Sequence, residues 1–100
     1  MDECKMGEKI TAIVITYNPA EYFIRNILEI REQVKVILIV DNGSSEQSLK
    51  FIKQASDLPD INIIFNKKNL GIATALNQGF SWACANKFSY AITFDQDSYP

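Results

Sequence analysis

Four short apolar runs alternate with three stretches in which apolar residues return every three or four positions. The first run, residues 10–16, is almost wholly Ile, Val, Ala and Thr. Its lack of polar alternation predicts a strand buried on both faces, as in a parallel sheet. Tyr17, Asn18 and Pro19 follow. Asn18 suits a helix N-cap and Pro19 the first helical position. Ala20, Phe23, Ile24, Ile27 and Leu28 then form one helical stripe. Residues 34–40 predict a second buried strand, running into Asp41, Asn42, Gly43, Ser44 and Ser45. Ser44 and Gln47 match a capping box. They open a second helix with Leu49, Ile52 and Ala55 inward, closed by Pro59. Residues 61–65 form the third run and lead into Asn66, Lys67, Lys68, Asn69, Leu70 and Gly71. A third helix places Ile72, Ala75, Leu76, Gly79, Phe80 and Ala83 on one face, where the small residues at 75, 79 and 83 allow close approach to a sheet. The fourth run, residues 89–97, reads as a buried strand ending in Asp95, Gln96 and Asp97.

The order βαβαβαβ predicts an α/β domain over residues 10–100, with a mainly parallel sheet, helices on both faces and right-handed connections. Residues 1–9 form an N-terminal tail. Every strand ends in ligand-type side chains, and open α/β sheets bind ligands in the crevice at those ends. A strand order 3-2-1-4 sets strands 1 and 4 side by side, so that Tyr17 and Asn18 face the same crevice as Asp95 and Asp97.

Composition narrows the chemistry. With 47% hydrophobic residues in 100, the chain can bury the core of one small ordered domain. A net charge of -2 gives no electrostatic footprint for nucleic acid. The chain has no histidine, which removes Ser-His-Asp and His-zinc chemistry. Cys4 and Cys84 lack metal-binding spacing and read as reduced thiols, Cys84 packed on a helix. No run has the length of a signal peptide core or a membrane span, which points to the cytoplasm. Side chains at i and i+2 of a strand point the same way, so Asp95 and Asp97 converge. Two converging carboxylates invite a hard cation, Mg²⁺ or Mn²⁺.

These blocks carry a resemblance. Thr16-Tyr17-Asn18, Asp41-Asn42-Gly43-Ser44, Asn69-Leu70-Gly71-Ile72-Ala73 with Asn77, and Asp95-Gln96-Asp97 follow one another as in the N-terminal nucleotide-sugar-binding part of family 2 glycosyltransferases of GT-A type. In flavour they are closest to bacterial rhamnosyltransferases. The resemblance covers nearly the whole chain from Ile10 and implies a Rossmann-like GT-A half. It implies a metal held by Asp97, with Asp95 at the ribose and joining the metal through water. It further implies a base pocket shaped by Thr16, Tyr17 and Asn18 beside Asp41 and Asn42, with Asn69 and Gly71 closing the nucleotide pocket. Many relatives have a second acid where this chain has Asn42, and that acid accepts N3–H of uracil. An amide accepts the same proton more weakly and does not separate uracil from thymine. The donor implied is dTDP-rhamnose, with a UDP-sugar as the second choice, and the acceptor is a polysaccharide or lipid-linked glycan.

Each residue also has a plainer role: Asn18 as helix cap, Tyr17 as core, Asp41 and Asn42 as turn residues, Gly71 as backbone turn, and Lys67 with Lys68 as a solvated pair. Family members carry the acceptor half and the catalytic base downstream of the D-x-D segment. The chain is thus expected to be a fragment, inactive alone, with an exposed sheet edge prone to self-association. The full-length protein is then expected in the cytoplasm or at the inner face of the membrane. Two rivals remain. A sugar nucleotidyltransferase wants a Gly-rich basic loop where Tyr17, Asn18 and Pro19 stand. A receiver or flavodoxin-like binding module wants paired acids after strand 1, which are absent.

Overall fold

The computed structural model describes residues 9–95. Strands β1 (Ile10–Thr16), β2 (Val36–Asp41), β3 (Ile61–Phe65) and β4 (Tyr90–Asp95) alternate with helices α1 (Phe23–Arg31), α2 (Glu46–Ala55) and α3 (Ile72–Ala85). All three strand pairings are parallel, and the sheet order is β3-β2-β1-β4, the order expected from the sequence. β1 and β2 are central, which explains why their runs are apolar on both faces: Ala12, Ile13, Val14, Ile37, Leu38, Ile39 and Val40 are all buried.

Successive residues of β1 and β2 point to opposite faces, and each face has its own core. Ala12, Val14, Ile37 and Ile39 pack with Phe23, Ile27 and Ile30 of α1 and with Ile52 and Ala55 of α2. Ile13, Leu38 and Val40 pack with Ala75 of α3 on the other face. Gly79 allows α3 to lie close to the sheet. A Cβ there would stand 2.7 Å from Cγ2 of Ile13, so the small-residue face does bring helix and strand together.

The structure corrects several local expectations. α1 begins at Phe23 with Tyr22 as its N-cap, not at Asn18 and Pro19. Asn18 instead takes a left-handed conformation with φ 48°. The inward stripe of α1 is Phe23, Ile27 and Ile30, while Ala20 and Leu28 are exposed. The cap of α2 is Ser45, whose side chain accepts the Ser48 N–H, because Ser44 is drawn onto Asp41. Val34 is buried but precedes β2. On α3, Ala75, Gly79 and Ala83 face inward, but Ile72 and Phe80 are exposed at 57% and 45%. Cys84 lies on α3 but is exposed. β4 is not a buried strand: among the described residues it is an edge, and Tyr90 and Ile92 are exposed, while Phe94 packs against the α1–α2 core and Ala91 against the core on the α3 side. Asp97, and with it the convergence of Asp95 and Asp97, lies outside the described residues.

Candidate functional site

Parallel pairing carries the strand ends to one side of the sheet. Thr16 is opposite Asp41, Asp41 opposite Phe65, and Ile15 opposite Asp95. The polar blocks that follow β1, β2 and β3 therefore meet, and side-chain hydrogen bonds tie them together.

Asp41 is the anchor. It is buried, and its carboxylate accepts from Thr16 Oγ1 at 2.8 Å, from the Ser44 N–H at 2.9 Å, from the Gly43 N–H at 3.3 Å and from the Ser44 hydroxyl. A buried charge is tolerated when it is this fully hydrogen-bonded. The Ser44 hydroxyl oxygen in turn accepts the Asn18 N–H at 2.8 Å, and Asn18 Oδ1 accepts the Ser45 N–H at 2.8 Å. Asn18 thus caps the start of α2 from the neighbouring loop, with its side-chain oxygen on an orphan helix N–H.

Asn42, also buried, reaches the other way. Its amide bonds to Asn66, Asn69, Leu70 and Gly71 of the β3–α3 loop. Asn69 Oδ1 also accepts the Gly71 N–H at 2.8 Å. Asn66 exchanges two hydrogen bonds with Gln78 of α3, at 2.8 and 2.9 Å. Gly71 is at φ 88°, which suits a glycine at the entry to α3.

The eight residues expected at a nucleotide site fall into two sets. Thr16, Asn18, Asp41, Asn42 and Asn69 bond to one another's loops and build the rim. Tyr17, at 49% exposure, follows β1, Asp95 is exposed at the end of β4, and Gly71 stands at the entry to α3. Asp95 lines a cavity of 210 Å³ with Ile15, Ile72, Leu76, Thr93 and Phe94, between the ends of β1 and β4 and the first turns of α3. Lys67 lines a second cavity, 440 Å³, with Asp41, Ser44, Leu49, Lys53, Phe65 and Asn66, on the α2 side of the sheet. Ser44, Asn66 and Gln78 were not foreseen as parts of this assembly. Ser44 followed a cap pattern, and nothing in sequence spacing pairs Asn66 with Gln78.

A parallel sheet flanked by helices, with polar strand ends gathered on one side, defines an open α/β domain of the Rossmann-like type. The family model "Glycosyl transferase family 2" matches residues 11–100, and the chain belongs to that family. It is 30% identical over 94 residues to a poly-beta-1,6-N-acetyl-D-glucosamine synthase of Staphylococcus aureus, covering 91% of this chain and 22% of that protein. It is 32% identical over 94 residues to the dTDP-rhamnosyl transferase RfbF of Shigella flexneri, covering 93% of this chain and 31% of that protein. The chain therefore spans less than a third of the length of these relatives. Among solved structures it is similar to the mannosyltransferase PcManGT from Pyrobaculum calidifontis, in complex with GDP-Man and Mn²⁺. That likeness has a TM-score of 0.63 at 24% identity, over 75% of this chain and 24% of the other, and it bears on the fold. No helix among the described residues is long and apolar enough to cross a membrane.

Proposed function

We propose that the full-length protein is a glycosyltransferase that moves a sugar from a nucleoside-diphosphate sugar to a polysaccharide or lipid-linked glycan acceptor. The observation that carries this reading is the gathering of the strand ends, where the loops are fixed by Asp41 and Asn42 and the exposed Asp95 lines a cavity at the ends of β1 and β4. Family membership over residues 11–100 supports the reaction class.

Tyr17 offers an aromatic face to the nucleobase. Thr16 and Asn18 set its position through their bonds to Asp41, Ser44 and Ser45. Asn69 and Gly71 close the pocket on the α3 side. Asp95, beside its cavity, serves the ribose. A diphosphate and a carboxylate repel each other, and an exposed oxygen ligand at this point fits Mg²⁺ or Mn²⁺, with Asp97 as the main ligand and Asp95 as a second. Such a cation neutralises charge on the leaving diphosphate.

The donor favoured is dTDP-rhamnose, on the likeness to a dTDP-rhamnosyl transferase at 32% identity. A UDP-sugar is the second choice. The test is a donor panel: the full-length protein is given dTDP-rhamnose, UDP-sugars and GDP-mannose with MnCl₂, and nucleotide release is measured. Release from dTDP-rhamnose above the others is expected. Preferential release from a UDP- or GDP-sugar overturns the donor, and release from none overturns the activity.

A further inference from the structure

Asn42 is 4% exposed, and its amide makes four hydrogen bonds. Nδ2 donates to Asn69 Oδ1 at 3.1 Å and to the Gly71 carbonyl at 3.3 Å. Oδ1 accepts from the Leu70 N–H at 3.0 Å and from Asn66 Nδ2 at 3.3 Å. A primary amide has two donor hydrogens and one oxygen with two lone pairs, so every position is filled. The orientation is forced, because a backbone N–H only donates and a carbonyl only accepts. Asn69 is fixed as an acceptor by its bond from the Gly71 N–H, and Asn66 is held to α3 by its reciprocal pair with Gln78.

We propose that Asn42 is a positioning residue that latches the 66–71 loop to the end of β2. It acts on donor binding through the shape of that loop and makes no bond to the nucleobase. The part that concerns the donor rests on the function proposed above. To accept N3–H of a pyrimidine, Asn42 Oδ1 would have to release the Leu70 N–H or Asn66, uncovering a buried donor. The partners of the Asn42 side chain among the described residues are all neutral amides or backbone groups, so the latch depends on donor–acceptor matching. A carboxylate at this position would still accept from Leu70 and Asn66. It would also confront two acceptors, Asn69 Oδ1 and the Gly71 carbonyl, with no hydrogen to give them.

Asn42→Asp separates the two roles by the sign of its pH dependence. In the full-length protein without ligand, protection of the Gly71 amide from exchange is expected to fall near neutral pH. It should recover under mildly acidic conditions, because a protonated carboxyl can again donate to one of the two acceptors. Affinity for UDP and dTDP with MnCl₂, relative to wild type, is expected to fall about tenfold near neutral pH. That ratio should narrow as the pH is lowered. A base-contacting residue behaves the other way: the carboxylate accepts N3–H more strongly than an amide does, and protonation removes the gain. Gln78→Leu, placed on α3 and bonded to Asn66 in the network, is expected to weaken nucleotide binding several-fold, and unchanged affinity in that variant would remove Asn66 from the latch. Tighter nucleotide binding by Asn42→Asp near neutral pH overturns the proposal, as does full protection of Gly71 in that variant. If wild type binds neither nucleotide, the donor role falls with the proposed function, and amide exchange decides the latch by itself.

Discussion

Gly43 and Gly71 provide a matched pair for measuring how tightly the β2–α2 turn and the β3–α3 loop are pressed together. Their φ angles, 93° and 88°, are nearly equal. Replacing either by alanine costs about 1–2 kcal/mol for placing a side chain in the left-handed region. Their surroundings differ. A Cβ on Gly43 would stand 2.7 Å from both C and Cα of Lys68 and 3.0 Å from the Asn69 nitrogen, whereas a Cβ on Gly71 meets nothing within 4 Å. The obstacle at Gly43 is backbone. It is held on either side by the Asn66 N–H on the Asp41 carbonyl at 2.8 Å and by the Leu70 N–H on Asn42 Oδ1 at 3.0 Å. Relieving the contact shifts that backbone by several tenths of an ångström, at a cost of about 1–3 kcal/mol by analogy with overpacked cores. Gly43→Ala is therefore expected to be less stable than Gly71→Ala by about 2 kcal/mol. Urea unfolding of both variants in the full-length protein measures this. With a slope of about 2 kcal/mol/M, the midpoints should differ by about 1 M. Equal midpoints would refute the close approach of the two loops and with it the rim of the site.

Other variants test separate parts of the account. Asp41→Ala strips the acceptor from Thr16, Gly43 and Ser44 and should cost about 3 kcal/mol in thermal or urea unfolding; a loss below about 1 kcal/mol would contradict its role as anchor. Gly79→Ala gains about 1 kcal/mol of helix propensity but drives a Cβ into Ile13, so a net loss is expected. Combining it with Ile13→Ala should cost less than the sum of the two, and additivity within about 0.3 kcal/mol would mean that the two residues do not touch. Asp95→Ala should weaken nucleotide binding most when Mn²⁺ is present. An equal loss in EDTA would leave Asp95 with the ribose alone.

The sheet was legible because its two central strands are buried on both faces and must be written in Ile, Val, Leu and Ala, with little room for ambiguity. The edge strand β4 was misread for the same reason. Its residues 90–94 are as apolar as a central strand, and only the topology shows that Tyr90 and Ile92 are exposed on an edge of the sheet formed by the described residues. Helix starts failed where a side chain had a better partner elsewhere in the fold. Asn18 has cap chemistry, but its oxygen serves the N-terminus of α2, and Ser44 gives up the cap position to bond Asp41. At the site, the residue types were visible and their division of labour was not. Which amides bind one another across the 42, 66, 69 and 78 positions depends on register between strands, which local spacing does not encode.

The central claim is that the crevice at the strand ends holds a nucleoside diphosphate with a divalent cation. Calorimetric titration of the full-length protein with dTDP, in MnCl₂ and again in EDTA, for wild type and Asp97→Ala, tests it most directly. The account predicts saturable binding in Mn²⁺ that weakens at least about tenfold in EDTA and by a similar factor in the variant, because both changes remove the ion that screens diphosphate from carboxylate. Affinity untouched by EDTA and by Asp97→Ala, or no binding by wild type in Mn²⁺, would contradict it.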